Sequence, residues 1–509
     1  LSSRPDDTGP GSARPGQPDG AGRTHSVLGI DLGTSSVKVI VAGPDGQPLA
    51  MATAEYPVVA AQPGQAESDP AAWWAAVMAA VRQAAGSAGT SPSAIGLSGQ
   101  MHGLVLTGPG GEVLRPALLW ADGRAAPCLA AYRRLGPAAL ARLANPLTPG
   151  MAGPLLLWVA EHEPLVYQRA RWALQPKDWL RQRLTGRAQA EPSDASATLL
   201  YDLPADRWDS ATVAGLGLSA DLLAPLLPGS AQLAGTLTAE AAAELGLPAG
   251  LPVAAGAADT AAAAFGTGLS HPGEVQLTIG TGAQLVTPRD SPAARPETGT
   301  HLYRSAGPGW YAMAATLSAG IALNWVRSTL GASWAQLYDA ASELPRPGDP
   351  VFLPHLPGER TPYLDPQMRG AWTGLGLGHT RTDLLRAALE GVAFAIRDAL
   401  DALPGADSAA AVRLAGGGTA AQPWRQMLAD ILRLPLQAVD VPAASARGAA
   451  LLGACAISLL TPADVYGPLA PAARQVAEPD PASMERFAVR RQSFLHALHQ
   501  LRCRTGPAA

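Results

Sequence analysis

Four short stretches carry side chains that could handle phosphate, a divalent cation and a proton. Asp31 closes the apolar run Val27–Ile30 and is followed by Gly33, Thr34, Ser35 and Ser36, then by Val37–Val41. A turn of small, donor-rich residues between two strands can bring backbone N–H groups and hydroxyls to phosphate oxygens. A carboxylate at the strand end can hold hydrated Mg²⁺, which favours one or two carboxylates plus phosphate oxygens. An ordinary β-hairpin reads the same way. Gly280-Thr281-Gly282, between Leu277–Ile279 and Ala283–Val286, repeats the theme in the second half of the chain. Gly416, Gly417 and Gly418 lie between an apolar strand (Val412–Ala415) and a helix expected from about Trp424 to Leu434. Glycines placed there let a flat ligand press against backbone, although a crossover loop would also use them.

Two further polar points sit among small or apolar residues. Asp259 ends a short strand and opens an alanine-rich helix, and Met101-His102 sits in a loop flanked by Gly99 and Gly103. Moving a phosphoryl group to an alcohol needs a base near the hydroxyl and in-line alignment. A carboxylate suits that role, so Asp259 is a candidate base; it could equally be the N-cap of its helix. His102 is a candidate sugar-hydroxyl ligand or a structural loop histidine. The two phosphate turns, the Asp31 carboxylate and the glycine loop add up to an ATP site. It is not a Walker P-loop, and the protein-kinase motifs H-R-D and D-F-G are missing.

The elements that must position these groups alternate strand and helix. The chain has 509 residues, too many for one core, so two large domains, or three, are expected. The two hairpins suggest a duplicated architecture in which each half supplies one phosphate-facing turn to a cleft between them. Ser68-Asp69-Pro70 starts a helix with Asp69 as N-cap and Trp73, Trp74, Val77, Met78 and Val81 on its apolar face. Thr382 is expected to cap a long helix through Leu403, residues 444–460 read as a buried helix, and residues 485–501 as a terminal amphipathic one. Residues 1–25 carry almost no large apolar side chain, Leu1 apart, and are expected to be a disordered tail.

Composition removes several classes. A net charge of −4 argues against a general nucleic-acid or membrane-surface binder. No apolar run reaches the roughly 18 residues that a spanning helix needs. Cys128, Cys455 and Cys503 are scattered and odd in number, which suits a reduced, cytoplasmic setting. Only Lys38 and Lys177 are lysines; each could be solvated or paired.

Taken together, the motifs resemble the FGGY carbohydrate kinases, closest to their xylulose-phosphorylating members. The matching pieces are Gly29-Ile30-Asp31-Leu32-Gly33-Thr34-Ser35, Gly99-Gln100-Met101-His102-Gly103, Leu118–Arg124 and Pro176–Arg181. In the second half they are Leu277–Gly282, Gly358-Glu359-Arg360-Thr361-Pro362, Gly416–Gly418 and Trp424–Asp430. The resemblance implies an α/β fold of two actin-like (ribonuclease H-like) ATPase domains with an interdomain cleft: a sugar-binding domain over 26–266 and a nucleotide-binding domain over 267–509. It implies ATP-dependent phosphorylation of D-xylulose at O5, with ATP and Mg²⁺ required. By the same resemblance Asp259 is the catalytic base and Asp31 the acidic residue beside Mg²⁺ and the transferred phosphate. Met101, His102, Asp259 and Thr260 would bind sugar. Thr34, Ser35, Gly280, Thr281, Gly417, Gly418 and, more weakly, Gln422 would bind nucleotide. The implied partners are a sugar and ATP, with neither nucleic acid nor membrane; oligomeric state is not read from sequence, and a homodimer is the candidate assembly.

One departure bears on the substrate. Many members carry Asn after the base, whereas here Gly256-Ala257-Ala258-Asp259 is followed by Thr260. A sugar hydroxyl left unpaired in a buried site could cost ~1–3 kcal/mol. The alternatives are therefore a kinase for another ketose or polyol, such as ribulose, glycerol or gluconate, or a non-catalytic actin-like ATPase.

Overall fold

The computed structural model describes residues 25–505; the tail expected over 1–25 lies, but for its last residue, outside them. Two mixed sheets organise the chain. The first is built from β1 (Val27–Leu32), β2 (Ser36–Ala42) and β3 (Pro48–Glu55), then β4 (Ile95–Gly99) after helix α1 (Pro70–Ala88). After a largely helical stretch that includes α2 (Pro176–Thr185) and α3 (Pro192–Ala195), β5 (Leu233–Thr236), β6 (Pro252–Ala254) and the two-residue β7 (Ala257–Ala258) complete it. Its order is β5-β6-β4-β1-β2-β3, with β7 pairing β4. The β1–β2–β3 meander is antiparallel, while β4 runs parallel to β1 and β6 parallel to β4.

Helix α4 (Asp259–Gly266) leads to the second sheet. Its strands are β8 (Val275–Ile279), β9 (Ala283–Arg289), β10 (His301–Arg304) and β11 (Trp310–Thr316). Beyond helices α5 (Gly320–Thr329) and α6 (Arg381–Ala402) come β12 (Val412–Ala415), helix α7 (Gln422–Leu432) and β13 (Leu436–Ala438). Helix α8 (Ala444–Ala456), β14 (Arg474–Ala477) and α9 (Pro481–Thr505) end the chain. The sheet order is β10-β11-β9-β8-β12-β13-β14. Here β8, β9 and β11 form the antiparallel meander, and β12 and β13 are the parallel neighbours of β8. The two halves thus share a meander followed by parallel strands, the duplication that the paired hairpins suggested.

Local sequence explains most helix ends. The Asp69 carboxylate accepts from Ala71 N at 2.9 Å, and Trp73, Trp74, Val77 and Val81 are buried as the spacing requires. At α6 the cap is Thr380, not Thr382. Thr380 and Asp383 bond each other's backbone in a capping box, and Thr382 sits inside the first turn. The helix expected to Leu460 ends at Ala456.

Helix α8 comes late in sequence but packs on β1 and β4 of the first sheet and along α4. Contact is backbone to backbone. A Cβ at Gly96 would stand 1.7 Å from Ala449 O, and one at Gly448 would stand 1.9 Å from Ala262 O. Only glycine permits that approach. Buried Arg447 then ties three segments, donating to the carbonyls of Gly46, Gly266 and Leu469. At the far edge of the second sheet, the Asn145 amide bonds both Leu302 N (2.8 Å) and Leu302 O (2.9 Å). A side chain from the first half therefore completes an exposed strand edge of the second.

Candidate active site

Asp31 sits on β1 between Lys38 of β2 and Ser98 of β4. Its Oδ1 accepts from the Ser98 hydroxyl at 3.0 Å. The turn that follows is held from three sides. The Tyr56 hydroxyl and the Gln100 amide both donate to Gly33 O, and Trp120 Nε1 donates to Thr34 Oγ1 at 2.9 Å. Thr34 is half-buried and Ser35 exposed, so the turn is rigid yet open to a ligand. Burial raises the Asp31 carboxyl to about 6, against the opposing pull of Ser98 and Lys38.

Asp259 opens α4 as its first helical residue. The N-cap is Ala258, which decides against the capping reading. The Asp259 Oδ1 accepts from Thr260 N at 2.6 Å and from the Thr260 hydroxyl at 3.2 Å. Burial first, and then the charge of Asp31, lift its carboxyl to about 7. Thr260 is buried, and its hydroxyl is turned to Asp259. The backbone before the carboxylate is fixed from below: Ala258 N donates to Ser193 Oγ at 2.9 Å, and Ser193 donates to Glu191 Oε1 at 2.6 Å. Glu191 belongs to a buried charge cluster. Lys177 Nζ meets Asp178 at 2.6 Å, Asp194 at 3.1 Å and Glu191 at 3.4 Å, and Arg181 meets Asp178 at 2.9 Å. Lys177 is thus wholly buried and paired, whereas Lys38 is exposed.

His102 is held in an unusual backbone conformation, φ 73°, by Gln175, whose Oε1 accepts from His102 N at 2.9 Å. Its Nδ1 lies 2.8 Å from Ala197 O, so Nδ1 carries the proton and Nε2 presents a lone pair. Burial lowers this imidazole to about 4, with Arg360 pushing the same way, so it is neutral near pH 7. The ring stands 5.8 Å from Tyr303, which stands 5.6 Å from Tyr311, whose hydroxyl points to Met101 Sδ at 3.7 Å. Met101, Ala257, Ala258, Tyr303, Tyr311 and Ala315 share one buried cluster. The loop of the first half is therefore packed on β10 and β11 of the second, close to Asp259.

The second turn is anchored like the first. Gly280 N donates to Gly282 O, and the carbonyls of Gly280 and Thr281 accept from Gly320 N and Ile321 N at the start of α5. Gly280 and Thr281 are exposed. The Gly416–Gly418 loop lies against the end of β8: a Cβ at Gly418 would stand 2.2 Å from Ile279 O, whereas one at Gly417 would meet nothing within 4 Å. Gln422 is exposed, and its amide donates to Val476 O at 3.0 Å, so that side chain is engaged with β14. Three open turns, two of them joined by Ile279, and a lone strand-end carboxylate fit a triphosphate and its cation. Among the described residues, no group of three or more His, Cys, Asp or Glu could hold a metal ion, and Mg²⁺ bound through phosphate needs no such cage.

Sequence reasoning did not single out Ser98, Ser193, Tyr303 or Tyr311. Ser98 was findable as the β4 residue just before the Met101-His102 loop. The others reach the site only through tertiary packing. The three cysteines are free, and no helix among the described residues is long and apolar enough to cross a membrane.

The family model for the N-terminal domain of the FGGY family of carbohydrate kinases matches residues 26–266, and that for the C-terminal domain matches 275–457. A xylulose kinase from Escherichia coli K12 is 37% identical over 409 residues, covering 79% of this chain and 84% of that one. A xylulose kinase from Klebsiella pneumoniae is 36% identical over 482 residues, covering 93% and 99%. The crystal structure of a xyloylose kinase from Brucella ovis superposes with a TM-score of 0.87 at 37% identity, covering 94% of this chain and all of that one. The fold is the two-domain, actin-like α/β fold of those kinases, and the chain belongs to the FGGY family of carbohydrate kinases.

Proposed function

We propose that this kinase transfers the γ-phosphoryl group of ATP to O5 of D-xylulose. The observation that carries the reading is the pairing of two raised carboxylates, Asp31 at the end of β1 and Asp259 at the start of α4. The relatives named above as xylulose kinases support the substrate.

In this reading Met101 and His102 line the sugar site, the neutral His102 Nε2 accepting from a sugar hydroxyl. Asp259 accepts the O5 proton as the O5–P bond forms and the bond from the γ-phosphorus to the bridging oxygen breaks, leaving ADP. A carboxyl near 7 is poised for that transfer at neutral pH. Thr34, Ser35, Gly280, Thr281, Gly417 and Gly418 cradle the nucleotide; Gln422 is a more distant candidate. Asp31 would hold Mg²⁺, which when bound neutralises charge on the phosphates. The sugar domain spans 26–266 and the nucleotide domain 267–509, with α8 packed back on the first sheet. Sugar binding closes the two halves and keeps water from the γ-phosphate.

Thr260 favours a second reading, the same reaction on another ketose or polyol, because its hydroxyl is directed to Asp259 rather than into the site. A coupled ADP-release assay with Mg-ATP across D-xylulose, L-xylulose, D-ribulose, L-ribulose, glycerol and gluconate separates the two. Highest kcat/KM with D-xylulose supports the first; another leading substrate replaces it; ATP binding without turnover on any of them would refute both.

A further inference from the structure

The segment Gly358-Glu359-Arg360-Thr361-Pro362 has no role in the site as drawn. Its construction is specific. Glu359 is buried; its Oε1 accepts from Leu317 N at 2.6 Å and from Arg360 N at 2.9 Å, while Oε2 takes His355 Nδ1 at 3.0 Å. Backbone bonds join Glu359 to Asp365 in both directions at 2.9 Å. On the other side, Thr361 donates from N to Ala315 O at 3.0 Å, while its hydroxyl accepts from Ala315 N at 3.1 Å and donates to Gly299 O at 2.7 Å. Both neighbours are thus fastened to the end of β11, and Arg360 is the residue presented between them.

Among the described residues, the Arg360 guanidinium has neither a hydrogen-bond nor an ion-pair partner, although it is largely enclosed. Buried arginines elsewhere in the chain are tied: Arg181 to Ala255 O, Arg447 to four carbonyls, Arg490 to Glu390 and two carbonyls. The groups that feel the Arg360 charge are Glu359 beside it and His102, His301 and Tyr303, the ring cluster where the first half meets the second. Leaving an enclosed cation unpaired is costly unless a ligand supplies acceptors.

We propose that Arg360 is a specificity-determining residue that grips the sugar from the second half, opposite His102, donating to the ketose carbonyl oxygen and the hydroxyl oxygen beside it. This rests on the ketose-kinase reading above. The chemistry is complementary. Neutral His102 offers a lone pair and so takes a hydroxyl proton. Arg360 offers only donors, in a planar fork suited to two adjacent oxygens. A carbonyl oxygen can only accept, so the fork favours a 2-ketose over the corresponding polyol.

The test compares D-xylulose with xylitol for the wild type, Arg360→Ala and Arg360→Lys, measuring KM for sugar and ATP separately. Arg360→Ala should lower kcat/KM for the ketose about 10–100-fold, as expected for a lost charged hydrogen bond, with ATP KM within about twofold. The loss on xylitol should be several-fold smaller, so the ketose-to-polyol ratio falls. Arg360→Lys should recover part of the ketose rate. An unchanged ratio would overturn the inference, as would a rise in ATP KM in place of sugar KM. Because the enclosed cation has no partner without ligand, the ligand-free variant should melt at or above the wild-type temperature; a large drop in melting temperature would also count against the inference. If the wild type turns over no ketose, the reading of function fails; ketose turnover with an unaltered ratio in Arg360→Ala defeats this inference alone.

Discussion

Asp259 stands near enough to Asp31 that the charge of Asp31 raises the proton affinity of Asp259, although one comes from β1 and the other from the start of α4, at opposite ends of the first half. Burial is the larger cause for both, bringing Asp31 to about 6 and Asp259 to about 7. A base must be ionised to act, so kcat/KM should fall about tenfold per pH unit below pH 7. Neutralising the neighbour lowers the Asp259 pKa, so Asp31→Asn should shift the remaining acid limb to lower pH while reducing the rate. Thr260→Val should move it upward, because the lost hydroxyl bond favours the ionised form. A pH profile of kcat/KM for the three proteins checks both directions.

Asp259→Asn removes the proposed base and keeps the shape. General-base catalysis typically contributes about 10²–10⁴-fold, and kcat should drop by that order. Sugar and nucleotide binding should persist, which titration calorimetry can follow. A kcat within tenfold of wild type would place the base elsewhere.

The same two carboxyls set a stability profile. Their native pKa values lie above the unfolded value near 3.8. Over that interval the native state binds more protons than the unfolded state, so stability falls with rising pH. The contribution is intact below about pH 4 and lost by about pH 7. The ligand-free protein should therefore melt lower at pH 8 than at pH 5 as far as this pair is concerned. Asp259→Asn should melt above the wild type at pH 8, with the gap narrowing toward pH 5. Thermal scans across this range read the sign directly.

How much of this was legible follows from which links are local. The hairpins around Gly33–Ser36 and Gly280–Gly282, the strand at 412–415 and the Asp69 cap each have their signal within a few residues. The Thr380 cap had one as well, Asp383 standing three residues on, and the competing Thr382 obscured it. Lys177 is different: its partners Glu191 and Asp194 arrive at the cap and in the first turn of another helix, so a local reading could not choose between a solvated and a buried lysine. Nor could it show that α8, a run of small residues, crosses back to the first sheet. Arg360 was visible as part of a motif, but its lack of a partner is a tertiary fact.

Ser193 illustrates a positioning role. Its hydroxyl accepts from Ala258 N, next to the base, and is itself wholly buried. Ser193→Ala leaves that N–H unpaired, at a cost of about 1–3 kcal/mol. The expected result is a lower melting temperature together with a reduced kcat and a nearly unchanged ATP KM. Ser193→Thr, which keeps an acceptor, should recover part of kcat. Loss of stability with full kcat would make the residue structural only. Beneath it, Lys177→Met would leave Asp178, Glu191 and Asp194 facing one another with Arg181 as the remaining cation, and breaking a buried ion pair this way costs about 3–5 kcal/mol.

Gly417 and Gly418 offer a sharper test of the nucleotide loop, because adjacent residues of one type should respond differently. A methyl group at Gly418 would collide with the carbonyl oxygen of Ile279, the last residue of β8 before the Gly280 turn. Gly418→Ala must move the loop away from β8 and should lower stability and raise ATP KM together. At Gly417 the added methyl meets only open space. Gly417→Ala should therefore melt like the wild type and register only when nucleotide is added, as an ATP KM raised by about tenfold or more, with sugar KM unaffected. An unchanged ATP KM in Gly417→Ala would mean that the nucleotide does not press on that backbone, and would move the adenosine site away from the glycine loop.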